Sequence, residues 1–363
     1  DFIEKPQLES ILTAYSAPFY HPNLLIRILL FVATLIALSG ATGFFALIVA
    51  DVGKDAIAMA CIIYGVVSFF ILEKMFIGNN HYKSGITEAI LYHSCGFTIG
   101  GLAGIGDFEN AHVILWSCLI VFSFSSIRYL DLLCTVAAVC SFAGILFFEF
   151  YNIGGIFQQI IPFVFIGGFT PIYFLVKRLK QQIGLRLWRN NLLIVESISL
   201  LFIYAAGNYM VVRELSVSMM NLEIAEGGDI PFAFIFYGLT ALMPLAYLYF
   251  GIKNKDIVLL RVSLLVLAFS AFTFKYYFSL GHPEITLTLA GIVLMATAIA
   301  LMRYLKIMRN GFTRENILSE KWGNMNVEAF VISQTMGGNQ QSLQQPDMPG
   351  GGTSGGGGAS SDF

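Results

Sequence analysis

Charge is what this sequence of 363 residues has least of: Asp, Glu, Lys and Arg together make up 12% of it, against about a quarter in an ordinary soluble domain. So little charge cannot clothe a water-facing surface, which excludes a soluble globular body. Cysteine is scarce too, five in all, and Cys61, Cys95, Cys118, Cys134 and Cys140 show neither disulfide nor metal-type spacing. They read as small buried hydrophobes. No glycine-rich phosphate loop, zinc motif or nucleophile elbow is present, and a net charge of −2 with no basic cluster of the right kind argues against nucleic acid. Neither enzyme activity, cofactor nor metal is expected. The nearest approach to a catalytic grouping is His93 beside Cys95.

What the chain does contain is apolar length. Hydrophobic residues are 56% of the total and mean hydropathy is +0.73. A helix needs about 20 mostly apolar residues to cross the hydrocarbon core, and ten stretches qualify: 24–50, 55–74, 86–106, 110–127, 131–150, 156–177, 191–212, 231–251, 256–274 and 283–304. The runs are unbroken rather than alternating, which favours helices over a membrane barrel. The expected fold is an all-α, polytopic transmembrane bundle with the lipid bilayer as its first partner.

Basic residues set the expected orientation. Lys177, Arg178, Lys180, Arg186 and Arg189 crowd one connection, and Arg303, Lys306, Arg309, Arg314 and Lys321 follow the last stretch. Both belong on the cytoplasmic side. Alternation through ten spans then places both termini there and leaves only Lys54, Arg213 and Lys275 opposite.

The regions outside the spans are small. Residues 1–23 lack a signal-peptide pattern, so the first apolar run reads as a retained span, and Ile3, Leu8, Ile11, Leu12 and Tyr15 fall at helical spacing. An interfacial amphipathic segment and a ragged terminus are the two readings. Residues 305–336 have the makings of one short helix, with Trp322, Val327, Phe330 and Ile332 as contacts. Residues 337–363, with nine glycines and two prolines, cannot bury enough surface to fold alone. This tail is a candidate contact for a partner subunit or another copy of the chain. Its closing run, GGGTSGGGGASSDF over 350–363, resembles the glycine-rich tails of bacterial membrane proteins that carry a TPM domain. The resemblance implies a bacterial source and nothing about activity; with the ten apolar spans, the expected location is the inner membrane.

Ionisable groups inside spans are expensive and mark sites worth inspecting. Glu196 and Arg261 each lie about five residues into spans seven and nine from the same side, so an ion pair between them would spare both. It would serve as a helix lock, or as a gate or proton relay. His93, in the third span, reads as a neutral hydrogen-bonded residue or as a proton-coupling one. Gln158, Gln159, Asn208 and Tyr209 are read as meeting headgroups or, alternatively, substrate.

Glycine and proline give the remaining signals. Gly96, Gly100 and Gly104 form a small-xxx-small register for close helix packing. Gly167, Gly168 and Pro171 in span six, and Gly40 and Gly43 in span one, are candidate broken-helix positions. In a division into two five-span halves these two spans correspond, and paired interruptions of that kind point to a transporter midplane site. The arrangement resembles the five-plus-five inverted-repeat transporters in count and topology. Two functions follow as expectations: a secondary transporter or permease for a small solute, or a non-catalytic scaffold or accessory subunit of a membrane complex.

Overall fold

The computed structural model describes residues 20, 22–51, 53–106, 108, 110–219 and 228–277, with scattered positions nearer the ends. Most of the amphipathic segment, the tenth expected span, residues 305–336 and the glycine-rich tail lie outside the described residues. The regular structure described is entirely helical: α1 Leu24–Val49, α2 Lys54–Ile71, α3 Ile86–Ile105, α4 Ala111–Tyr129, α5 Leu132–Ile153, α6 Ile156–Leu179, α7 Arg189–Gly207, α8 Tyr209–Ser218, α9 Ala233–Asn254 and α10 Ile257–Tyr277. A π turn (Leu72–Phe76) and a 3-10 turn (Ile77–Asn79) extend α2, and a 3-10 turn, Ile183–Trp188, precedes α7.

Among the described residues, eight helical stretches are long and apolar enough to cross a membrane. The chain is thus an all-helical protein of multi-pass membrane character. Helix α3 has the length, 20 residues, but is not one of the eight. Its Glu88, His93, serine and glycine residues dilute the hydropathy that Ile and Leu supply.

The expected breaks in spans one and six are not formed. Helix α1 runs uninterrupted through Gly40 and Gly43, and α6 runs through Gly167, Gly168, Pro162 and Pro171. Proline removes one backbone donor without abolishing a helix whose neighbours hold it straight. The discontinuity falls instead in span seven, where Asn208 leaves helical geometry (φ −83°, ψ 124°) and separates α7 from α8.

The fold divides into two compact units, residues 1–37, 76–89 and 316–363 on one hand and 38–75 with 90–315 on the other. The smaller unit is organised by Glu88. Its carboxylate pairs with Arg27 and accepts from the Gly85 N–H at 2.8 Å and the Thr87 hydroxyl at 2.9 Å, an arrangement that closes the first turn of α3 in the manner of a capping box. Gly85 has φ +93°, and a Cβ there would strike the Arg27 carbonyl. Asn23 caps α1 by accepting from the Ile26 N–H at 2.9 Å.

In the larger unit α7 is the centre, packed by α5, α6, α8, α9 and α10. Phe169, Tyr173, Leu200, Ile203, Tyr204, Leu259, Val262 and Val266 form the core between these helices. Two connections share one device. Leu130 and Lys255 each take left-handed φ, and the aspartate that follows caps the next helix: Asp131 accepts from the Cys134 N–H at 2.8 Å, Asp256 from the Val258 N–H at 3.1 Å.

The glycine register differs from the expectation. A Cβ at Gly96 or Gly100 would meet nothing within 4 Å, whereas one at Gly101 would lie 2.6 Å from the Ala58 carbonyl and one at Gly104 2.9 Å from the Ala58 Cβ. On the facing helix, Gly65 receives Thr98 in the same way. The α2–α3 contact therefore uses the face of Thr98, Gly101 and Gly104.

Candidate functional site

The polar chemistry of the larger unit concentrates at the two ends of α7. At the lysine-rich end, α6 finishes with Lys177 and Lys180, α7 brings Glu196 one to two turns in, and Asp256 heads α10. Glu196 pairs with Lys180, not with Arg261. Arg261 is exposed on α10 and has no ion-pair partner among the described residues. Lys177 reaches Asp256 at 3.0 Å and the Tyr173 hydroxyl at 3.2 Å. Burial by itself would raise the Asp256 carboxyl, but the Lys177 ammonium and the Leu259 N–H outweigh it and hold the group below the ordinary aspartate range. Two ammoniums thus face two carboxylates, and the cluster is neutral as a whole.

Within that cluster Glu196 is the exceptional member. It is 0% exposed, and while Oε2 meets Lys180, Oε1 is buried with no hydrogen-bond partner among the described residues. Lone acceptors of this kind are rare in folded proteins because each forfeits its hydration without replacement.

Beside this cluster a polar network ties α4, α5 and α7. Asn191, 5% exposed, donates to the Thr135 hydroxyl at 2.7 Å and the Asp131 carbonyl at 3.1 Å. The Ser126 and Thr135 hydroxyls meet at 2.7 Å, and Tyr92 on α3 donates to Asp131 at 3.0 Å. Cys95 and Cys134 are buried here, with Cys95 3.2 Å from the Ser125 hydroxyl.

The opposite end of α7 is built around its break. Asn208, 0% exposed, caps α8 by accepting from the Val211 N–H at 3.2 Å and donates to Tyr204 at 2.9 Å and Thr273 at 3.0 Å. The Tyr209 N–H, which the break deprives of a helical acceptor, donates to the Thr240 hydroxyl at 2.9 Å. Thr240 of α9 and the Asn208 amide itself thereby satisfy backbone N–H groups that the break exposes, as a low-dielectric setting demands, while Thr273 of α10 holds that amide in place.

Beyond the break lies a charged aromatic cluster. Tyr209 and Tyr237 stack at 4.2 Å and donate to the two oxygens of Asp229 at 2.7 and 2.9 Å. Arg213 bonds the Tyr209 hydroxyl, lies 3.7 Å from Asp229 and sits 5.4 Å from the Tyr277 ring centroid. Burial pushes the Asp229 carboxyl up, but the Tyr209 hydroxyl, the Ile230 N–H and the Tyr237 hydroxyl together hold it below its ordinary value.

The other residues singled out in the sequence lie apart from these clusters. His93 meets the Tyr64 hydroxyl at 3.2 Å, and its ring packs against those of Tyr64 and Phe97. A Cβ at Gly40, Gly43 or Gly167 would meet nothing within 4 Å, and one at Gly168 only Leu146. Lys180, Asn191, Asp229 and Asp256 were not singled out, because lysines near a span end look like topology signals and single Asn or Asp residues at span ends look like caps. Among the described residues no group of three or more His, Cys, Asp or Glu side chains could hold a metal ion. No protein-family model matches the chain, and no curated protein or solved structure does so either.

Proposed function

We propose that this multi-pass membrane protein is a secondary transporter or permease for a small solute. Its basic connections face the cytoplasm, both termini lie on that side, and a bacterial inner membrane is its setting. One observation carries the reading: clusters of polar side chains close off both ends of the central helix, on either side of an apolar core. Lys180–Glu196 and Lys177–Asp256 close one end; Arg213, Tyr209, Tyr237 and Asp229 close the other around the break at Asn208. Alternating access needs two such closures, each able to open while the other holds, and discontinuous helices are a recurring part of the machinery.

The scaffold reading is favoured by α1, whose 26 residues include no buried one. Its exposed residues, among them Ile36, Phe44, Leu47 and Ile48, suit lipid or a partner's helix. Labelling separates the two. Ser199→Cys and Ser263→Cys, both buried between the latches at 0% and 1% exposure, are made in a chain whose five cysteines are replaced, and probed from each side with an impermeant thiol reagent. Labelling from either side is the result expected of a transporter. Protection from both sides, with Gln182→Cys labelled as control, removes that reading and leaves a sealed bundle.

A further inference from the structure

We infer that Glu196 is a proton-binding site that opens and closes the lysine-rich latch. The inference deepens the transport reading, on which its role as a coupling site rests.

The geometry defines the ligand. Glu196 lies about 10 Å along the helix axis from Arg189, fully buried, with one oxygen on Lys180 and the other unpartnered among the described residues. A metal cation is a poor fit. Hard cations take about six to eight oxygen ligands, whereas here one free oxygen faces a site already neutralised by an ammonium.

The surroundings reinforce this. From α6 the cluster receives Tyr173, Lys177 and Lys180, and from the head of α10 Asp256. Helix α9 contributes the Tyr247 hydroxyl one turn further on, bonded to the Leu200 carbonyl at 3.2 Å, while its Lys253 lies over Tyr249 at 5.8 Å. At the head of α5 the Asp131 carboxylate is taken up by Tyr92 and the Cys134 N–H, and Glu149 of that helix is paired with His112 at 3.0 Å, at its far end. Arg261 is exposed. Lys180 is therefore the counter-ion of Glu196, and at 18% exposure it is the more open member of that pair.

The step balances simply. A proton from water adds to the Glu196 carboxylate; the O–H bond forms, the ion pair with Lys180 is lost, and the still-charged ammonium moves into solvent. The cluster goes from neutral to +1, with Lys177 and Asp256 still paired. Loss of the proton restores the latch.

The test is infrared difference spectroscopy on the full chain in vesicles of phosphatidylethanolamine and phosphatidylglycerol, titrated from about pH 4 to about pH 9. A protonated-carboxyl band that grows on acidification, disappears in Glu196→Gln and moves its midpoint up by about one pH unit or more in Lys180→Met is the expected result. Helical circular dichroism confirms that both variants fold. The inference is overturned if no band in that range depends on Glu196, if Lys180→Met leaves the midpoint in place, or if sodium at fixed pH abolishes the band. Thiol labelling at Ser199 reports the hydrated pathway independently, so failure of the proton site and failure of the transport reading are distinguishable.

Discussion

Leu130 and Lys255 adopt the same left-handed backbone, φ 53° and 54°, and each is followed at once by an aspartate that caps a helix. A left-handed turn reverses the chain in the fewest residues, and the aspartate then satisfies the orphan N–H groups of the returning helix. Neither Leu nor Lys is suited to that conformation, which costs roughly 1–2 kcal/mol for a residue with a Cβ. Lys255→Gly is therefore expected to raise stability by about 0.5–1 kcal/mol, read as a higher Tm for thermal unfolding in detergent.

The α2–α3 contact predicts opposite signs for neighbouring glycines. Gly96→Ala and Gly100→Ala enter open space within a helix and should stabilise by about 0.5–1 kcal/mol through backbone entropy. Gly101→Ala must displace the Ala58 carbonyl or Ile62 and should destabilise by about 1–3 kcal/mol. Unfolding midpoints that move the same way for all three would contradict the packing face assigned to α3.

Asn191 is the hub of the α4–α5–α7 network. Asn191→Ala removes its amide from the Thr135 hydroxyl and the Asp131 carbonyl and should cost about 1–3 kcal/mol. Asn191→Ser, which can still donate once, should lose less; equal losses would show that packing, not hydrogen bonding, sets the effect.

Asp256 makes stability fall in acid. Its folded pKa is depressed, chiefly because Lys177 and the Leu259 N–H outweigh burial. The stabilisation it contributes is present above the unfolded value of about 3.9 and is lost as pH falls through the lower folded value. Asp256→Asn should have a lower Tm at neutral pH and a flatter Tm profile below about pH 4. A variant profile as steep as the wild type would assign the acid sensitivity elsewhere, Asp229 being the next candidate.

The cap at Asn208 holds the break in α7–α8. Asn208→Ala should cost about 1–2 kcal/mol and speed amide exchange at Val211 and Tyr209, while exchange in the middle of α7 stays slow. Uniform acceleration along α7 would mean that the two helices unfold as one.

The helical membrane architecture was legible because apolar runs of bilayer length need no tertiary information to identify. Span ends were also legible, to within a few residues, where charge marks them. What the sequence concealed was pairing. Glu196 announced itself as an intramembrane carboxylate, but its partner was sought on a distant span when Lys180 lay sixteen positions back, across the connection between α6 and α7. The break was sought at glycine and proline, since those residues disrupt isolated helices. It formed at Asn208, whose short amide can replace the helix's own bonds at that point and bind Thr273 as well. The packing register of α3 was unreadable for a related reason: four glycines in one helix offer several equivalent faces, and only the neighbour chooses among them.

Pro171 sits within an unbroken helix, yet it has no N–H to offer the carbonyl of Gly167, one turn earlier. Bending α6 about that level sacrifices no hydrogen bond, because the bond is already missing, and the absent Gly167 side chain removes a steric stop. The segment that carries Lys177 and Lys180 thus follows a level of its helix that lacks one backbone bond. Swinging it outward is an elastic deflection, and the restoring force resides in a rod that stays helical throughout.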